Sequence, residues 1–99
     1  MKNIAEKAHD AAAYLKGFAN PHRLSILCSL TEGEKSVSVL IEDTGLAQTS
    51  MSQHLSKLKK EHIITYRRDH RTLYYRIEDE TALAILRYLY EAFCKEKDT

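Results

Sequence analysis

Over residues 4–18 the apolar side chains Ile4, Ala8, Ala11, Leu15 and Phe18 recur at spacings of three and four, the period of one helix face. Gly17 and the Asn20-Pro21 pair end that helix, and the same pair starts the next. Asn20 is a good N-cap, and Pro21 suits the first helical position, where its missing N–H would have had no intrahelical partner. A stripe of Leu24, Leu27 and Cys28, with Ile26 and Leu30 beside it, is expected to face the core as far as Gly33. Ser36 can cap a short third helix carrying Val37, Leu40 and Ile41, closed by Thr44 and Gly45. A fourth helix begins near Ala47, with Met51, Leu55 and Leu58 on one stripe and polar or basic residues on the other faces. Two β-rich runs, residues 63–68 and 72–77, flank the polar turn Asp69-His70-Arg71 and predict a hairpin. Asp79 or Thr81 caps a last long helix in which Leu83, Leu86, Leu89, Tyr90 and Phe93 form a broad apolar face. The predicted order is α-α-α-α-β-β-α: a mainly helical chain with one small hairpin, read as a single domain over residues 1–99.

Composition adds little to that outline and contradicts none of it. At 99 residues, 43% hydrophobic and 29% charged, the chain has the make-up of a globular domain, without repeats or low-complexity tracts. Its high surface-to-volume ratio favours oligomerisation, so a dimer is expected. The first ten residues lack the apolar core of a signal peptide, and no apolar run reaches the roughly 18 residues of a membrane span. A cytoplasmic protein with no membrane association is the expectation.

Charge changes the picture more. The formal net charge is only +1. Residues 48–76, however, hold seven Lys and Arg (57, 59, 60, 67, 68, 71 and 76) against Glu61 and Asp69, a local +5 that leaves −4 on the remainder. A basic segment on an otherwise acidic body suits directed phosphate binding, because an evenly basic protein would have no preferred orientation on a duplex.

That segment has a matching geometry. Two short helices joined by a Gly-containing turn, the second opening with small polar residues and ending in lysines, form the helix-turn-helix pattern. A helix entering the major groove by its N-terminal turns needs short hydrogen-bonding side chains there, and Gln48, Thr49, Ser50, Ser52 and Gln53 supply them, with His54 counted among the DNA-binding residues beside them. Gln53 can make a bidentate contact to adenine, whereas Lys57, Lys59 and Lys60 are better placed to neutralise phosphates. In the hairpin, Arg67, Arg68, His70 and Arg71 fall within five residues and can follow the DNA backbone or reach an adjacent minor groove. An enzyme is not expected, since the chain carries neither a nucleophile motif nor a Gly-rich phosphate loop. A winged helix serving protein–protein contact is the rival, and the local +5 counts against it.

The string Gly-Leu-Ala-Gln-Thr-Ser-Met-Ser-Gln-His-Leu-Ser-Lys-Leu-Lys-Lys over residues 45–60, preceded by Asn20-Pro21-His22-Arg23-Leu24-Ser25-Ile26 and followed by Tyr74-Tyr75, resembles the ArsR/SmtB family of bacterial winged-helix repressors. The resemblance covers nearly the whole chain. It implies a homodimer joined through the first and last helices, binding an imperfect palindrome of double-stranded DNA with its two recognition helices about one turn apart. One departure is Ala47, where the family commonly has a capping Ser.

Many members of that family sense metals. The positions matching a Cys-x-Cys site on the third helix are Ser36 and Ser38, which bind soft metals poorly. Of the ligands of a site on the last helix only Asp79 is retained, with Thr81, Ala92 and Lys95 at the other places. His9, His22, His54, His62 and His70 are scattered without ligand spacing, so no metal or other cofactor is expected. Cys28 and Cys94 remain, on the second and last helices, and their placement resembles the dithiol branch of the family, whose members respond to persulfides or related sulfur and redox species. The resemblance implies a repressor that holds DNA as a dithiol and releases it once reactive sulfur or an oxidant bridges the pair. The alternative is that both cysteines pack as small hydrophobes and that regulation comes from a metal at another site or from no ligand.

Overall fold

A computed structural model describes residues 3–95 of the chain. Asn3 opens helix α1 (Ile4–Lys16) by accepting the Glu6 N–H at 2.9 Å, and Gly17 caps its end. Asn20 then caps α2 (Pro21–Leu30), its side chain accepting from the His22 and Arg23 N–H groups at 2.9 and 3.2 Å. Ser36 caps α3 (Val37–Thr44) through the Val39 N–H, and Gly45 ends it in the left-handed region at φ 74°. Only after that reversal can α4 (Gln48–Lys60) cross α3 in helix-turn-helix fashion.

The end of α4 is a Schellman motif. The Ile63 N–H reaches the Leu58 carbonyl and the His62 N–H the Lys59 carbonyl, both at 3.0 Å, with His62 at φ 63° in the position glycine usually takes. The chain then enters the hairpin of β2 (Ile64–Asp69) and β3 (Thr72–Ile77), joined by a two-residue turn in which His70 has φ 59°. A third strand was not anticipated: β1 (Lys35–Ser36) pairs antiparallel with β3, Lys35 opposite Tyr75 and Ser36 opposite Tyr74, so the sheet order is β1-β3-β2. Asp79 caps α5 (Glu80–Leu89) through the Thr81 N–H at 3.1 Å, which decides between the two predicted caps.

The core is formed by Ile26, Leu27 and Leu30 of α2, Leu40 of α3, Met51, Leu55 and Leu58 of α4, Ile64, Tyr75 and Ile77 of the sheet, and Ala82 and Leu86 of α5, with Phe18 and Ile63 from the connections. Two expected faces are corrected. In α2, Leu24 and Cys28 are only half-buried, because the core lies against the Ile26, Leu27 and Leu30 side and leaves the predicted stripe at its edge. After Leu89 the last helix widens into a π-helical turn, Tyr90–Cys94, in which the Lys95 N–H bonds to the Tyr90 carbonyl at 2.9 Å. The wider turn breaks the 3.6-residue register, and Phe93, expected on the apolar face, is 82% exposed.

The result is a mainly helical winged helix with a small antiparallel hairpin. Its first helix contributes no buried residue at all: Ile4 is 84% and Leu15 48% exposed. No helix among the described residues is long and apolar enough to cross a membrane.

Candidate nucleic-acid interface and dithiol pocket

Helix α4 buries Met51, Leu55 and Leu58, and that stripe determines which side chains remain outside. Gln48, Thr49, Ser52, Gln53, Lys57 and Lys60 are exposed, while Ser50 is half-buried. Ala47 holds the extended N-cap conformation, φ −66° and ψ 152°, but has no side-chain oxygen to offer, so no side chain caps the first N–H groups of α4. His54 is half-buried and turned toward α2, its ring 5.8 Å from that of His22 between centroids. Burial, followed by the charges of Arg23, His22 and Lys57, holds its pKa below the ordinary histidine range.

The wing residues divide into two groups. Arg68, His70 and Arg71 are exposed, with His70 Nδ1 2.7 Å from Asp69 Oδ1 at the tip. Arg67 is tied to the body instead. Its Nε and Nη2 donate to both oxygens of Glu34 at 2.6 to 3.1 Å, and its guanidinium lies 4.6 Å over the Tyr74 ring. Glu34 precedes β1, so the pair braces the hairpin against the connection between α2 and α3. On the other face Lys59 sits 5.1 Å above the Tyr66 ring, linking β2 to α4. Neither brace was visible in the order of residues.

The two cysteines come together within one chain. Cys28 of α2 and Cys94 at the end of the π-helical turn are both free thiols lining one open cavity of about 510 Å³, with Leu24 and Tyr90 on its apolar side. Cys28 is half-buried and Cys94 exposed. Burial pushes the Cys28 thiol up to about 11, and its hydrogen bond to Cys94 and that group's charge act in the same direction. At neutral pH Cys28 therefore keeps its proton and Cys94 is the more accessible sulfur.

The polar side of that cavity was missed in the sequence. Lys35 Nζ donates to Asp43 Oδ2 at 2.6 Å and to Ser29 Oγ at 3.0 Å, and the Ser29 hydroxyl donates to the same Asp43 oxygen at 2.7 Å. The residue beside Cys28 is thus bonded to the last turn of α3, the helix that leads into α4. Asp79, the one retained position of a last-helix metal site, has both carboxylate oxygens engaged: Oδ1 accepts the Thr81 N–H and Oδ2 the Tyr14 hydroxyl.

The pattern of the bacterial regulatory protein arsR family matches residues 20–66. The nodulation protein NolR of Rhizobium meliloti is 41% identical over 93 residues, covering 94% of this chain and 76% of that protein. Among solved structures, the transcriptional repressor BigR from Xylella fastidiosa superposes with a TM-score of 0.86 at 34% identity, covering 97% of this chain and 96% of that one. Reduced HlyU from Vibrio cholerae superposes with a TM-score of 0.87 at 29% identity, covering 96% and 100%.

Proposed function

The chain belongs to the arsR family of bacterial regulatory proteins, DNA-binding transcriptional regulators, and from that premise we propose that it is a dimeric repressor whose hold on its operator is broken when Cys28 and Cys94 are bridged. The observation that carries the proposal is that two thiols 66 residues apart in sequence line one cavity. Gln48, Thr49, Ser52 and Gln53 face base edges and phosphates near the start of α4, while the half-buried Ser50 and His54, the latter turned toward α2, stand behind them. Lys57, Lys60, Arg68, His70 and Arg71 neutralise phosphates, and Arg67 contributes from its braced position on Glu34. Ile4 and Leu15 of α1, with Tyr88 and Phe93 of the last helix, supply the exposed apolar surface that a second copy would cover.

The bridging chemistry balances with a sulfane donor R–S–SH. The Cys94 thiolate attacks the outer sulfur, forming Cys94–S–SH and releasing R–S⁻. Cys28 then loses its proton and attacks the Cys94 Sγ, closing Cys28–S–S–Cys94 and expelling HS⁻. With a peroxide the intermediate is Cys94–SOH and the leaving group hydroxide. In either case the dithiol loses two electrons and the donor gains them. Closure draws the half-buried end of α2 against the π-helical turn, and Ser29, bonded to Asp43, carries the displacement to α3 and so to α4.

Operator affinity of the dithiol protein and of the protein treated with a persulfide donor tests the proposal, in wild type, Cys28→Ser and Cys94→Ser. The expected result is a loss of at least tenfold in wild type only. Unchanged wild-type affinity, with the bridge demonstrated by mass spectrometry, refutes the switch and leaves the cysteines as packing residues.

A further inference from the structure

A second cavity, of about 530 Å³, lies where the end of α1, the start of α2 and the end of α4 converge, away from the dithiol. Lys16, Arg23, Lys57 and Glu61 contribute to its wall, three cations against one carboxylate. None of the four has an ion-pair partner within 4.0 Å among the described residues. Lys16 and Lys57 each sit in the last turn of a helix, where the helix dipole favours a cation. Arg23 sits in the first turn of α2, where the dipole opposes one.

Arg23 is also incompletely satisfied. Its Nη1 donates to the Gly17 carbonyl at 3.3 Å, but Nε is buried and has no acceptor. A buried donor without a partner is unfavourable, so the Arg23 guanidinium is left with unused hydrogen-bonding capacity beside the cavity. Gly17 keeps the space open. A Cβ there would lie 3.1 Å from Glu61 Oε2, 3.3 Å from the Tyr14 carbonyl oxygen and 3.4 Å from Ile63 Cδ1, although the residue's φ of −62° and ψ of −21° are ordinary for alanine.

We propose that this cavity binds a phosphate group, as inorganic phosphate or a small phosphate monoester, with Arg23 as the fork and Lys16 and Lys57 as flanking charges. A guanidinium matches the phosphate oxygens in a bidentate manner, and a dianion offsets the excess of two positive charges on the wall. The Tyr14 hydroxyl is already engaged by Asp79, so alongside Ile63 the wall offers apolar surface for the organic part of a monoester. The site joins the outermost helix to the recognition helix, so its occupancy is linked to DNA affinity. A DNA backbone phosphate offers the same chemistry, because Lys57 belongs to both surfaces.

Calorimetric titration of inorganic phosphate and phenyl phosphate into the reduced protein at constant ionic strength tests the site. One saturable site per chain is expected, weakened about tenfold or more in Arg23→Lys through loss of the fork. Gly17→Ala adds a methyl to the cavity wall, tight against Glu61 Oε2 at 3.1 Å and the Tyr14 carbonyl oxygen at 3.3 Å, so it is expected to weaken binding, with the unfolding midpoint measured alongside to separate that loss from a loss of stability. Titration into the protein–DNA complex separates the sources: uptake that persists identifies a free anion as the occupant, and uptake that disappears identifies a DNA phosphate. A response no different from chloride at matched ionic strength overturns the proposal, as does wild-type binding in both variants.

Discussion

Replacing Ala47 by Ser adds the side-chain cap that α4 lacks. Asn3, Asn20, Ser36 and Asp79 each accept a backbone N–H at the start of a helix, whereas Ala47 cannot. Its backbone, at φ −66° and ψ 152°, lies close to that of Ser36 at −73° and 164°, where Oγ accepts the Val39 N–H at 3.3 Å. A serine at 47 therefore reaches the Ser50 N–H with no movement of the chain. The position is exposed, so the hydroxyl is not buried at a cost. The gain expected for an alanine-to-serine cap is about 1 kcal/mol. For a chain of this length that raises the unfolding midpoint by roughly 4–8 °C. Urea denaturation at fixed protein concentration measures it as a higher midpoint with an unchanged slope. Ser36→Ala is the internal control and should lose a comparable amount. If Ser36→Ala destabilises while Ala47→Ser leaves the midpoint where it was, a capping bond at α4 has no net value, and the account of that helix start is wrong.

Two further outcomes follow from single positions. His62 holds φ 63° in the Schellman turn with its side chain exposed, so His62→Gly should stabilise the protein by about 0.5–1 kcal/mol, the left-handed penalty less the entropy of glycine, read by the same denaturation assay. Cys28, raised from 9.0 to about 11 chiefly by burial, should resist alkylation until the pH passes about 10, followed by mass spectrometry of its peptide. Because the folded value lies above the ordinary one, the group's contribution to stability is complete below pH 9 and is lost as the pH rises toward 11. Half-maximal alkylation of Cys28 in Cys94→Ser should still lie above 9, and a return to 9 would show that the neighbouring sulfur, not burial, sets the shift.

Local rules carried most of the fold. Asn20-Pro21, Ser36 and Gly45 mark helix ends by chemistry that needs no tertiary partner, and each does so in the structure. The three core positions of α4 are legible because its other faces are uniformly polar. In α2 the same method misassigned the face, since Leu24, Ile26, Leu27, Cys28 and Leu30 are apolar almost all round and only the neighbouring elements decide which side is covered. Strand β1 is two residues, one of them lysine, and exists because β3 presents an edge to it. Such a strand has no signature of its own. The π-helical turn at Tyr90–Cys94 has none either, and it is the element that carries Cys94 to the cavity shared with Cys28.

The candidate sites divide along the same line. Which residues are basic or nucleophilic is visible in the chain, but which of them are free is a matter of partners far away in sequence. Arg67 reads like Arg68 until Glu34, 33 residues earlier, is found bonded to it. Arg23 reads as a surface cation until its Nε proves buried without an acceptor. Hydrophobic period has the same blindness. Ile4 and Leu15 in α1 repeat as a buried face should, yet the described residues leave Ile4 open and Leu15 half-open, and Tyr88 at 80% and Phe93 at 82% exposure lie open on the last helix. Periodicity records that a surface is to be removed from water, not what removes it. A face built to that pattern on the first helix and left open by the described residues is the surface that the proposed dimer would cover. That dimer would join the helix ending at Cys94 to the spacing of two recognition helices, which is the coupling that the proposed switch requires.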